Sequence, residues 1–215
     1  DEWAAQSQQR AVAARDSGHF DAEIVSVTTP DGTEVTRDDG PRPGTTVEKL
    51  AELKPAFRPD GTVTAGNACP LNDGAAAVLV MSEEKARGLG LKPRARIIAS
   101  SVAAIRPEIM GLGPIPAVKK VLEQAGMTIE DIDVLELNEA FAAQVVPCME
   151  EWGLDPEKLN PFGGAIALGH PFGMTGARIM TTLLNNLDAL DGTIGLETMC
   201  VAGGQGQAMI VERLS

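Results

Sequence analysis

Residues 132–152, IDVLELNEAFAAQVVPCMEEW, decide the fold. Ile132 to Leu137 is an apolar run of strand length, and Phe141, Val145, Met149 and Trp152 then recur at helical spacing, with a bend expected at Pro147. The same alternation continues on both sides. Upstream, Arg94 to Ile105 reads as a strand, and Val118, Val121, Leu122 and Ala125 mark a helix face stopped by Gly126. Downstream, Met180, Leu183, Leu184 and Leu187 mark another helix before two closing strands, Thr193 to Met199 and Gln207 to Glu212. Ala75 to Met81 is a seven-residue apolar run that predicts a buried strand, and Ser82 caps a helix that ends at Gly88 or Gly90. Strands alternating with helices predict a layered α/β domain from about residue 75 onward.

Residues 1–72 have a different texture. A helix is expected over residues 1–17 with its stop at Gly18, then a short strand from Glu23 to Thr28 ended by the turn at Pro30, Asp31 and Gly32. Residues 31–46 form a charged loop with Gly40, Pro41, Pro43 and Gly44, followed by a short helix from Val47 to Leu53. This region is expected to lie over another part of the structure.

Composition excludes several classes. The 215 residues are 44% hydrophobic and 22% charged, an ordinary globular balance. A net charge of −12 with no basic patch argues against nucleic-acid binding, and aromatics at 3% leave no base-stacking platform. No run approaches the roughly 20 apolar residues of a membrane span, and no signal peptide is visible at the first residues, so a cytoplasmic location is expected. The chain opens on Asp1 rather than Met, which suggests that residue 1 is not the natural start. Cys69, Cys148 and Cys200 are too few and too scattered for a disulfide framework. With two histidines and no paired cysteines, no metal-ligand spacing exists, and no metal is expected.

Three stretches put a reactive side chain where a strand or loop meets a turn or helix start. Asn138 follows the strand ending at Leu137, where the bland reading is a helix N-cap. His170 lies within GGAIALGHPFGMTG, residues 163–176, whose five glycines imply tight turns and close backbone approach. The positive end of the following helix favours a neutral imidazole there, the alternative being a core or capping histidine. Cys200 ends a buried-looking strand before a glycine-rich turn, where a structural thiol is the commoner case. An amide, an imidazole and a thiol together suggest acyl-transfer chemistry.

These stretches, NEAF at 138–141, GGAIALGHP at 163–171 and CVAGGQG at 200–206, resemble the thiolases in their order and spacing. AGNA at 65–68, NDGAA at 72–76 and MGLGPIP at 110–116 are similar to that family too. The resemblance implies a layered α/β/α fold and the C-terminal half of a thiolase. Residues 1–72 would be the end of the loop domain, 73–92 the last strand and helix of the N-terminal half, and 93–215 the C-terminal domain. The nucleophilic cysteine would lie in an N-terminal half not matched by this chain, leaving the chain alone inactive. Thiolases interconvert 3-oxoacyl-CoA plus CoA with a shortened acyl-CoA plus acetyl-CoA, so CoA thioesters are substrates and no cofactor is implied.

The resemblance also implies roles. Cys200 would be the general acid/base at the acetyl α-carbon. His170 would activate the nucleophile and help hold the thioester oxygen, and Asn138 would hold a water completing that oxyanion site. The backbone N–H of Ala202 would serve a second oxyanion site. Arg42 would meet the nucleotide end of CoA, where the residues alone equally allow a solvated loop arginine. Phe57 and Ala65 would line the CoA channel, Phe141 would lie near the pantetheine and acyl group, and Cys69 stands where a small polar residue is usual. Implied partners are CoA or acyl-CoA, the N-terminal half, and a second copy or three more in a homodimer or homotetramer. The competing reading is a non-catalytic CoA-binding or structural partner of the same fold. A ketosynthase relative is disfavoured by Cys200, where those enzymes carry histidine.

Overall fold

A computed structural model describes residues 1–214. Its centre is a four-stranded sheet of β3 (Ala95–Ala104), β6 (Gln205–Arg213), β5 (Ile194–Val201) and β4 (Val134–Leu137), in that order. β3 pairs antiparallel with β6 and β6 with β5, whereas β4 lies parallel to β5, with Leu137 opposite Thr198. A parallel pair needs a crossover connection. Here the crossover holds α5 (Ala142–Trp152), the single turn α6 (Ala165–Leu168) and α7 (Thr175–Ala189).

The side chains of β4 alternate between two apolar layers, as the pleat requires. Leu135 and Leu137 face a core completed by Val118 and Val121 of α4 (Pro114–Ala125), Val145 and Cys148 of α5, and Leu196 and Ile210 of the sheet. Val134 faces the opposite layer with Val211, Met180, Leu183 and Leu187, the last three from α7. The sheet is thus covered on both sides, an α/β/α arrangement. At the N-terminus, α1 (Glu2–Asp16) is seated in the first layer through Trp3, Ala4 and Ala5. It stops where Gly18 takes a left-handed conformation at φ 79°.

α7 runs antiparallel to β5. A Cβ on Gly195, near the start of β5, would lie 2.9 Å from both Leu183 and Leu187, which belong to the second half of α7. The N-terminal end of α7 therefore lies over the opposite end of β5, where Thr198 to Cys200 stand. Fifteen residues of helix rise ~22 Å, close to the span of an eight-residue strand, so the two ends match.

Several expected elements are displaced. The strand expected from Glu23 to Thr28 is reduced to β1 (Val27–Thr28), paired with β2 (Glu34–Val35). The helix at Val47 ends at Ala51 (α2), and the Ser82-capped helix is α3 (Glu83–Gly88). The largest departure is Ala75 to Met81. It pairs with no strand among the described residues, and Leu71 to Val80 are exposed throughout. A run apolar on both faces needs neighbours on both faces to become a strand, and the described residues supply none.

Glu136 and Glu197 are register partners on β4 and β5 and share the α7 face, where Asn186 Nδ2 donates to Glu136 at 2.8 Å. Burial pushes each carboxyl up to about 8, against the partial opposing effect of the Arg178 cation. Such groups are neutral in the folded protein while ionised in the unfolded chain, so stability falls as pH rises from about 4.5 to about 8. Urea unfolding midpoints should decline across that window, and Glu197→Gln should make the decline shallower. An unchanged slope in the variant would show that Glu197 ionises normally in the folded state.

Candidate active site

Asn138 leaves β4 with its backbone N–H donating to Thr198 O at 3.0 Å, so the residue stands beside the last residues of β5, two of which lead to Cys200. It does not cap α5, which begins only at Ala142. Asn138 is fully buried, and neither its Oδ1 nor its Nδ2 has a hydrogen-bond partner among the described residues. A buried carboxamide in that condition is normally satisfied by water or by a ligand.

His170 follows α6 and precedes α7. Its backbone N–H donates to Asn72 Oδ1 at 3.1 Å, and its Nδ1 is 2.7 Å from Thr175 Oγ1. That hydroxyl donates its own proton to Pro171 O at 2.9 Å, so it must accept from the ring. The imidazole is therefore the Nδ1–H tautomer, with a lone pair on Nε2. Burial, with a smaller contribution from the Arg178 cation, depresses the histidine below its ordinary 6.5. The sequence predicted a neutral imidazole from the helix end, whereas burial is the larger cause. Because α7 lies antiparallel on β5, His170 at its N-terminal end stands at the same end of the sheet as Asn138 and Cys200.

Cys200 is buried at the end of β5, and burial raises its thiol. It lines a cavity of about 500 Å³ together with Phe57, Met110, Leu112, Phe141 and Gln144. The wall is mostly apolar, the environment expected around an acyl or pantetheine chain. His170 lines a separate, smaller recess with Leu71, Asn72, Asp73 and Phe172. Asn138, His170 and Cys200 thus stand towards one end of the sheet, but His170 and Cys200 line separate hollows and Asn138 lines neither. Cys148 lies inside α5, where burial pushes its thiol up to about 12, and Cys69 is raised by burial as well.

The remaining predicted residues are spread around this end. Phe57 is 73% exposed, and its ring meets Phe141 edge-on at 6.0 Å at the mouth of the larger cavity. Cys69 is half-buried, its N–H donating to Ala140 O at 3.0 Å in a short bridge that also pairs Ala68 with Phe141. It is not among the residues that line the cavity. Ala65 is exposed in a turn away from the cavity wall. Arg42 is exposed on its loop, its backbone N–H donating to Gln8 Oε1 of α1 at 2.8 Å. Ala202 lies exposed in the turn between β5 and β6, its carbonyl accepting from Gln205 Nε2 at 3.3 Å.

Sequence reasoning missed the residues that hold these groups in place: Thr175 on the His170 ring, Asn72 on its backbone, and Glu139 beneath both α1 and α6. All three stood inside quoted stretches, but nothing in a linear pattern says which polar residue points inward.

The family model for the thiolase C-terminal domain matches residues 91–213, and that for the thiolase N-terminal domain matches residues 1–84. This chain belongs to the thiolase family. The description as a C-terminal half is too narrow, because residues 1–84 match the N-terminal-domain model. Similar proteins include a 3-ketoacyl-CoA thiolase from Cronobacter sakazakii, 53% identical over 222 residues, covering 100% of this chain and 57% of that protein. A beta-ketoadipyl-CoA thiolase from Acinetobacter baylyi is 51% identical, covering 100% of this chain and 55% of that protein. The crystal structure of the acetyl-CoA acetyltransferase of Bacillus anthracis superimposes with a TM-score of 0.96 at 50% identity, covering 100% of this chain and 55% of that one. The chain thus spans 55–57% of the length of these relatives.

The tautomer of His170 is directly measurable. Nitrogen-15 NMR should show a protonated Nδ1 and an unprotonated Nε2 at neutral pH, with titration below 6.5. Thr175→Val should convert this to a tautomer mixture, and an Nε2–H signal in the wild-type protein would contradict the hydroxyl's assigned direction.

Proposed function

We propose that this chain supplies the acid/base and oxyanion half of a thiolase active site, acting on 3-oxoacyl-CoA and CoA or, in reverse, on two molecules of acetyl-CoA. The observation that supports the reading best is the buried carboxamide of Asn138, left without a partner among the described residues beside the end of the strand that carries Cys200. The names of the similar proteins, 3-ketoacyl-CoA thiolase and beta-ketoadipyl-CoA thiolase among them, support the substrate class.

The nucleophilic thiol comes from a segment outside this chain, since Cys69, Cys148 and Cys200 all have raised pKa values and none is poised as a thiolate. His170 Nε2 removes that thiol's proton. The thiolate attacks the 3-oxo carbon, and the new Nε2–H then donates to the substrate oxygen. Cleavage of the carbon–carbon bond leaves acetyl-CoA as an enolate whose negative oxygen needs preorganised donors. A water held by Asn138 completes that site, and the backbone N–H of Ala202 serves the acyl intermediate's oxygen. Cys200, kept as a thiol by burial, donates its proton to the enolate carbon. As a thiolate it then takes the proton of incoming CoA, whose sulfur attacks the acyl carbon; the nucleophilic sulfur leaves as a thiolate, recovers its proton from His170 Nε2, and the shortened acyl-CoA is released. The mostly apolar wall around Phe57 and Phe141 receives the pantetheine arm, with Arg42, Ala65 and Cys69 along its outward course. The exposed run from Ala75 to Val80 pairs with a strand of the same additional segment, and the assembled enzyme is a homodimer or homotetramer.

In the assembled enzyme, Cys200→Ala should lower condensation kcat by roughly 10²- to 10⁴-fold, the range for loss of a general acid/base. Acylation of the nucleophile by acetyl-CoA, read as a mass increase, should persist at a reduced rate, because Cys200 also returns the proton to the departing CoA sulfur. Condensation at the wild-type rate in the variant sinks the assignment. Residues 1–215 alone should show no turnover, and measurable thiolysis by the isolated chain would show that its own cysteines suffice.

A further inference from the structure

We infer that Glu139 is a positioning residue that fixes the amide and the imidazole of the site to one another and to α1, an inference that rests on the thiolase reading of those groups. The carboxylate is completely buried and accepts four hydrogen bonds, two on each oxygen. Oε1 accepts from Trp3 Nε1 and from Asn160 Nδ2, each at 2.9 Å. Oε2 accepts from Ser7 Oγ at 2.7 Å and from the backbone N–H of Ile166 at 3.1 Å. None of the four donors is a cation. A carboxylate taken out of water without a counter-ion is expensive even when hydrogen-bonded, and an apolar side chain would fill the same space at lower cost.

The donors come from three separate parts of the chain, and each leads to a part of the site. Trp3 and Ser7 belong to α1. Asn160 holds the end of β4, its Oδ1 accepting from Leu137 N and its Nδ2 donating to Leu137 O, both at 2.9 Å. Ile166 is in α6, whose end at Leu168 is separated from His170 by Gly169 alone. Glu139 itself follows Asn138 directly. One carboxylate therefore sets the end of the strand bearing the amide and the start of the turn bearing the imidazole. Ser7 Oγ reinforces the joint by accepting from Gly164 N at 3.0 Å. Gly164 has no room for a side chain, because a Cβ there would collide with the carboxyl group of Glu139.

A purely structural role predicts that changes at Glu139 alter stability and leave the chemistry per folded molecule intact. A positioning role predicts a loss in kcat with little change in KM, because displaced groups fail in the transition state rather than in ground-state binding. In Glu139→Gln the amide nitrogen turns a donor toward donors, so at least one of the four bonds is lost. In the assembled enzyme, well below the variant's melting temperature, kcat should fall about 100-fold, the scale expected for misplacing reacting groups by an ångström, with KM within about threefold. The His170 nitrogen-15 spectrum of the 215-residue chain should change as well. If Glu139→Gln fails to fold, Ser7→Ala and Trp3→Phe each remove one donor and leave the carboxylate. Each should lower kcat by about three- to tenfold with KM unchanged. Wild-type kcat and an unaltered His170 spectrum in a folded variant overturn the inference. Absence of thiolysis in the wild-type assembled enzyme overturns the reaction reading instead, and the His170 spectrum then decides Glu139 by itself.

Discussion

The parallel pairing of β4 with β5 is the constraint on which the arrangement depends. Once Leu137 is opposite Thr198, the backbone of Asn138 must lie beside the residues leading to Cys200. Parallel strands require the chain to return the length of the sheet between them. α7 makes that return, and its antiparallel course brings the His170 turn to the end where the two strands finish. The three groups are far apart in sequence, and they come to the same end of the sheet because one crossover is long enough to span one strand.

Much of this was legible in the sequence. The strand–helix alternation around residues 132–152 and the glycine stops at Gly18 and Gly126 mark real elements because periodicity and terminal glycines are local signals. The short strands of the sheet also read correctly, since β-rich apolar runs flanked by turns have few alternatives. Ala75 to Met81 read as a strand and is not paired, because a strand is a relation between segments and the sequence of one segment cannot state whether its neighbours are present. Asn138 read equally well as a helix cap, a possibility excluded only once α5 was seen to begin at Ala142.

The site's supporting residues were less legible for a different reason. Glu136, Glu139 and Glu197 look like the polar positions of amphipathic segments, yet all three are buried. Their burial follows from covering the sheet on both faces and from packing α1 against the crossover. Pattern reading assigns a charged residue to solvent because that is the commoner outcome. A protein that places carboxyl groups inside without a direct ion pair has spent stability on them, and here Glu136 and Glu139 flank the end of the strand that carries the amide, while Glu197 lies on the strand that carries the thiol.

The exposed stretch from Leu71 to Val80 has a practical corollary. From Ala75 to Val80 it is apolar and pairs with no strand among the described residues, so it offers an open template to any other β-prone chain, the feature that soluble proteins ordinarily shield with charge, proline or a covering element. A surplus of negative charge, −12 over the molecule, opposes self-association at low ionic strength. Added salt screens that repulsion, so concentrated or high-salt preparations of the isolated chain will tend toward fibrillar or amorphous clumping seeded at this one segment.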